Sequence, residues 1–140
     1  MAANTAPIFS LLGDIQFTSA MTTANTTKDL TSGTIYLAFT ADTTNGGFVQ
    51  RIRFRALGTN TNATVARVWI NNGGVTTTAT NNTLFDEITL TTTTVSEVAA
   101  LATFELPMNY ALPPGDRIYL TLGTAPTSAG WQATVIGGKY

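Results

Sequence analysis

Three arginines at alternate positions, Arg51, Arg53 and Arg55 in FVQRIRFRA, are the sharpest chemical feature of the chain. In an extended segment alternate residues share a face. The spacing therefore lines three guanidinium groups along one side and sets Phe48, Ile52, Phe54 and Ala56 on the other. Like charges in a row repel unless solvated or paired. The stripe is either a solvated strand face that also discourages edge-to-edge aggregation or a docking surface for an acidic partner. Arg67, in TVARVWI, enlarges the cluster to four if its strand lies alongside on the same face. Trp69 shares the polar side of that segment with Arg67 and Val65. Trp and Arg are favoured anchors of buried interfaces, the alternative being that this face is the inner face of a second sheet and Trp69 is core. These five residues form the candidate partner-binding set.

Catalytic chemistry finds little material. The chain has neither Cys nor His, which removes thiolate nucleophiles, disulfides, the commonest general base and the commonest metal ligand. Asp86 and Glu87 are adjacent in a strand-like segment, so they point to opposite faces and cannot act as a glycosidase-type pair. Glu97, Glu105 and Asp116 are scattered. Asp42 to Asn45 and Asn71-Asn72 read as turn residues, without the dense oxygen array a calcium loop needs. The triplets at Asn25, Asn62 and Asn81 match the glycosylation acceptor pattern, but in a chain this rich in Asn and Thr such matches arise by composition. Gly137-Gly138 lacks the strand-to-helix setting of a phosphate loop. The expectation is a structural or binding protein with no catalytic residues, no metal site and no cofactor.

The elements that would hold these residues are strands. Only 11% of the 140 residues are charged, and Thr, β-branched and polar, fills about a fifth of all positions, which suits solvent-facing strand positions. Period-two runs bounded by Gly, Asn, Asp or Pro recur along the chain. They are Gly33 to Thr40 (Ile35, Leu37 and Phe39 on one face), Phe48 to Ala56, Thr64 to Ile70, Leu84 to Leu90 (Leu84, Ile88 and Leu90 together), Ala102 to Leu106 with Pro107 at its end, Arg117 to Leu122, and Trp131 to Ile136. With one or two strands between Ile8 and Thr18, about eight or nine result. Asn71-Asn72-Gly73-Gly74 and Pro113-Pro114-Gly115-Asp116 are turn sequences. The only helix candidate is Thr94 to Leu101. The spacing predicts a single all-β domain over residues 1–140, an antiparallel β-sandwich, with residues 1–12 as an extended N-terminal arm able to act as a second docking element. Net charge of −1 offers no field for nucleic acid. No stretch is apolar enough to cross a bilayer, and the N-terminus lacks a basic region and a long apolar run of the export type.

The stretches VQRIRFRALGTNTNATVARVWINNGG (49–74), ATNNTLFDEITL (79–90), VSEVAALATFELPMNYALPPGDRIYLTLGT (95–124) and GWQATVIGGKY (130–140) together resemble the small auxiliary capsid proteins of tailed bacteriophages, the decoration or cement proteins. The likeness runs from about Thr23 to the C-terminus and is one of overall pattern, with no invariant functional motif to transfer. It implies a jelly-roll-like sandwich, synthesis in a host bacterial cytoplasm, a place on the capsid exterior against the major capsid protein, and self-association as a homotrimer. A charge-poor surface near neutrality independently favours association. A tail, neck or fibre-associated virion protein is the second expectation. A carbohydrate-binding sandwich, stacking sugars on Trp69, Trp131 or Tyr140, is the third.

Overall fold

The computed structural model describes residues 10–127 and 129–140. It contains eight strands: β1 (Leu12–Phe17), β2 (Tyr36–Thr40), β3 (Gly47–Ala56), β4 (Thr64–Asn71), β5 (Asn82–Leu90), β6 (Phe104–Leu112), β7 (Arg117–Leu122) and β8 (Trp131–Lys139). They form two four-stranded sheets, ordered β1-β8-β3-β6 and β2-β7-β4-β5. The pairing is nested: β1 pairs with β8, β2 with β7, β3 with β6 and β4 with β5, all antiparallel. Apart from the β4–β5 connection, each link between consecutive strands passes from one sheet to the other. The all-β sandwich expected from the alternation is thus the observed architecture.

Inner positions of both sheets meet in one core that includes Phe39, Val49, Ile52, Phe54, Val68, Leu120, Trp131 and Val135. Phe104 packs edge-on against Trp131, ring centroids 5.5 Å apart. In the turn after β4, the Gly73 and Gly74 N–H groups donate to the side-chain oxygens of Asn71 and Asn72 at 2.9 and 3.0 Å. Gly73 has φ of 87°, a conformation that favours glycine. At the Pro113-Pro114-Gly115-Asp116 turn the Asp116 N–H closes on the Pro113 carbonyl at 3.2 Å.

Bulges account for most departures from the expected faces. A bulge sets two residues against one and reverses the alternation beyond it. In β2 the register shifts between Leu37 and Phe39, so Phe39 and Ala38 are buried while Leu37 is exposed. In β3 the shift falls between Val49 and Arg51 against both neighbours. Val49 therefore joins Ile52 in the core, and Phe48 is only half-buried. In β5 the shift beside Phe85 leaves Leu84 opposite Trp69, away from Ile88 and Leu90. Pro107 does not end its strand: β6 runs on to Leu112. As an edge strand, β6 has a side whose N–H groups need no partner, so proline is tolerated there. The segment Thr94 to Leu101 forms no helix; among the described residues the only helical turn is a 3-10 turn at Ala79–Asn81. The proposed N-terminal arm lies mostly outside the described residues. Its end is tied down, the Leu11 N–H donating to the Lys139 carbonyl at 2.9 Å.

Candidate partner-binding face

The arginine stripe lies on the outer face of the β1-β8-β3-β6 sheet, and the registers set its neighbours. Cross-strand partners stand side by side on one face. One row reads Ile15, Ile136, Arg51, Pro107. The next reads Phe17, Thr134, Arg53, Glu105. In the third, Gln132 stands beside Arg55. The face grades from apolar at the β1 edge to cationic at β3. Ile15 is 62% exposed and Phe17 67% exposed. Leu11, just before β1, is also largely exposed.

A single carboxylate organises the cations. Glu105 Oε1 accepts from Arg53 Nε at 2.7 Å and Nη2 at 2.6 Å, while its Oε2 lies 3.6 Å from Arg51 Nη1. Arg55 donates to the Leu101 carbonyl at 2.8 Å and to Thr103 Oγ1 at 2.6 Å. Such solvent-exposed pairs contribute little stability. Their effect is to hold three guanidinium groups in order while one carboxylate offsets one charge, leaving the stripe net cationic. Arg51 is the least engaged, its Nε buried without a hydrogen-bond partner. It borders a shallow hollow with Gln50, Glu105, Pro107 and Asn109.

Arg67 does not join this cluster. It sits on β4, in the other sheet, where its Nε donates to Glu87 Oε1 at 2.8 Å. Trp69 is likewise no exposed anchor, being 1% exposed with its indole N–H given to Thr121 Oγ1 at 3.0 Å. The ring is buried, although the face it occupies is the outer one, because the chain roofs it. In the long connection between β1 and β2, Ala24 bridges Leu122 on β7, and the Asp29 carbonyl accepts from Asn82 Nδ2 on β5 at 3.1 Å. Those anchors lie on either side of β4, so the segment between them passes over Trp69, and Leu30 is buried with it. Asn25 stiffens the roof, its Nδ2 donating to the Ser32 and Thr34 carbonyls at 2.9 and 3.0 Å. Of the expected five residues, Arg51, Arg53 and Arg55 share one surface, and Arg67 and Trp69 belong to another.

Residues with acid–base potential stay apart. Among the described residues no group of three or more His, Cys, Asp or Glu gathers. Asp86 and Glu87 diverge as expected, Glu87 to Arg67 and Asp86 toward Tyr110. Burial, and then the Asp86 charge, push the Tyr110 hydroxyl well above its usual range. Asp42 is a turn residue: its Oδ1 accepts the Asn45 and Thr44 N–H groups at 2.8 and 3.0 Å. Trp131 is fully buried, so neither tryptophan offers a ring for sugar stacking. The contribution of β1 to the open face was not singled out in the chain, although its signal is there: Ile15 and Phe17 alternate with Asp14 and Gln16 in LGDIQF. No family model matches this chain, and none of the curated proteins or solved structures compared with it gives a match.

Proposed function

We propose that this chain is a non-enzymatic virion structural protein, a decoration protein that grips the outer capsid lattice through the open face of the β1-β8-β3-β6 sheet. The observation that carries the reading is the juxtaposition of Ile15 and Phe17, each more than 60% exposed, with the Arg51, Arg53 and Arg55 stripe two strands away. Apolar area rimmed by ordered cations is what a partner surface of apolar and acidic character would cover. The nested strand pairing is also the arrangement that a long hairpin ribbon wound into a jelly roll produces, the architecture the sequence resemblance implies. The physical mechanism is linkage: a protein that binds only the assembled shell stabilises that shell by mass action. Repetition over the lattice multiplies modest single-site affinities. The major capsid protein is the partner on this reading, and Arg51, Arg53, Arg55, Ile15 and Phe17 are its contacts.

Mass spectrometry of purified particles tests the assignment. Hundreds of copies per particle are expected; a dozen or fewer shift the reading to a tail or neck part, and absence removes both. The combined change Arg51→Ser, Arg53→Ser and Arg55→Ser is expected to weaken capsid binding and flatten its salt dependence. Glu105→Gln, which removes the offsetting carboxylate, is expected to strengthen binding at low salt. Binding indifferent to both would reduce the stripe to a solubility device.

A further inference from the structure

The sandwich has four edge strands, β1 and β6 in one sheet and β2 and β5 in the other. An exposed strand edge invites another strand unless it is short, bulged, charged, interrupted by proline or covered. Three of the four are protected. β6 carries Pro107, Glu105 and a register shift near Asn109, whose φ is 53°. β5 carries Asp86, Glu87 and its own shift. β2 has five residues and a bulge, and its Thr40 backbone is already held by Gln16, whose side chain accepts from the Thr40 N–H and donates to the Thr40 carbonyl, both at 2.9 Å. β1 carries neither a proline nor a register shift, and no strand among the described residues pairs with its outer edge. Its six residues, LGDIQF, pair with β8 without a register shift, carry one charge, and expose Leu12, Ile15 and Phe17.

We propose that the free edge of β1 pairs antiparallel with β1 of a second copy, joining two four-stranded sheets into one of eight strands about a twofold axis. The residues of β1 are self-complementary in one register. A twofold axis normal to the sheet keeps outward side chains outward, so an outward residue must oppose another outward one. Three registers are then close to centred. Centring on Asp14 sets two carboxylates against each other, a destabilising like-charge pair. Centring on Gln16 opposes two side chains already engaged with Thr40. Centring on Ile15 sets that residue against its own copy, Phe17 over Gly13 of the second copy, and Asp14 beside Gln16. An aromatic ring laid over a strand glycine is a stabilising cross-strand arrangement. Among the described residues the space above Gly13 is open: a Cβ built there would meet nothing within 4 Å. Net charge of −1 per chain puts little long-range repulsion between copies. Such isologous pairing closes at two copies. It uses the backbone edge, leaving both arginine stripes on the same side of the joined sheet. Ile15 and Phe17 also belong to the face proposed to meet the capsid, but the pairing is tested on the purified protein alone, so its failure and the failure of the capsid reading are distinguishable.

The absence of Cys makes single-cysteine cross-linking a clean test. In the proposed register two copies of residue 15 face each other, with Cα atoms about 5 Å apart, inside disulfide range. Two copies of residue 17 are offset by four positions, about 14 Å at roughly 3.4 Å per residue, and cannot bridge. Ile15→Cys is expected to convert most of the protein to a covalent dimer under mild oxidation. Phe17→Cys is expected to do no more than Leu57→Cys, a half-exposed control outside every strand. The double change Gly13→Cys and Phe17→Cys should restore cross-linking. Light scattering of the unmodified protein should give twice the chain mass, and Ile15→Glu, which opposes two like charges, should halve it. A monomer or a trimer in solution, or equal cross-linking at positions 15 and 17, would overturn the proposal.

Discussion

The two outer faces of the sandwich both carry arginines near aromatic rings, yet the chain covers one and leaves the other open. On the β2-β7-β4-β5 side the connection between β1 and β2 folds over Trp69 and buries Leu30 with it, while Thr121 on the neighbouring β7 accepts the indole N–H. On the β1-β8-β3-β6 side nothing among the described residues covers Ile15 or Phe17, each more than 60% exposed. A covered aromatic contributes to folding stability and is lost to recognition. An uncovered one contributes little to folding and is available to a partner.

That comparison can be broken by substitution. Trp69→Ala should destabilise the fold by about 3–5 kcal/mol, the range for removing a fully buried large aromatic, as read by urea denaturation. A cost near zero would mean that the roof over Trp69 does not persist in solution. Thr121→Val keeps the shape but leaves the buried indole N–H unpaired, and is expected to cost about 1–3 kcal/mol. Phe17→Ser, on the open face, should stay within about half a kcal/mol of the parent while weakening the capsid binding proposed for that face. If its stability cost matched that of Trp69→Ala, the two faces would not differ in the way the structure implies.

Smaller effects lie in the pH dependence of the turns. N–H donation from Asn45 and then Thr44 holds the Asp42 carboxyl below its ordinary range. A depressed folded-state pKa stabilises the fold above the unfolded value, and that contribution is lost as pH falls through the folded one. Burial raises Asp116, so the sign reverses, and its contribution is lost as pH rises through the raised value. Asp42→Ala is therefore expected to lower stability at neutral pH and narrow the acid-side loss. Asp116→Asn should raise stability slightly at neutral pH. Denaturation midpoints measured from about pH 2 to 7 check both signs, and identical profiles for the two variants would contradict them.

Local alternation was enough to place the β3, β4, β7 and β8 segments and the two turns. Side-chain alternation is a property of any extended backbone, and Pro-Gly and Asn-Gly pairs act within four residues. The same reasoning put Arg51, Arg53 and Arg55 on one outward face. What it could not supply was where alternation breaks. The bulges at Gln50 and Phe85 depend on how a neighbouring strand engages, and no residue in β3 or β5 announces them alone. Nor could it tell that Arg67 and Trp69 belong to the opposite sheet from the arginine stripe, since consecutive strands β3 and β4 fall in different sheets. Whether Trp69 is anchor or core turned on a segment some 40 residues earlier in the chain. Its composition, rich in Thr and Asn, reads as an ordinary loop until Ala24 reaches Leu122 and Asp29 reaches Asn82. Residue type and spacing set which side chains leave the strand together; only long-range packing decided which of them meets solvent.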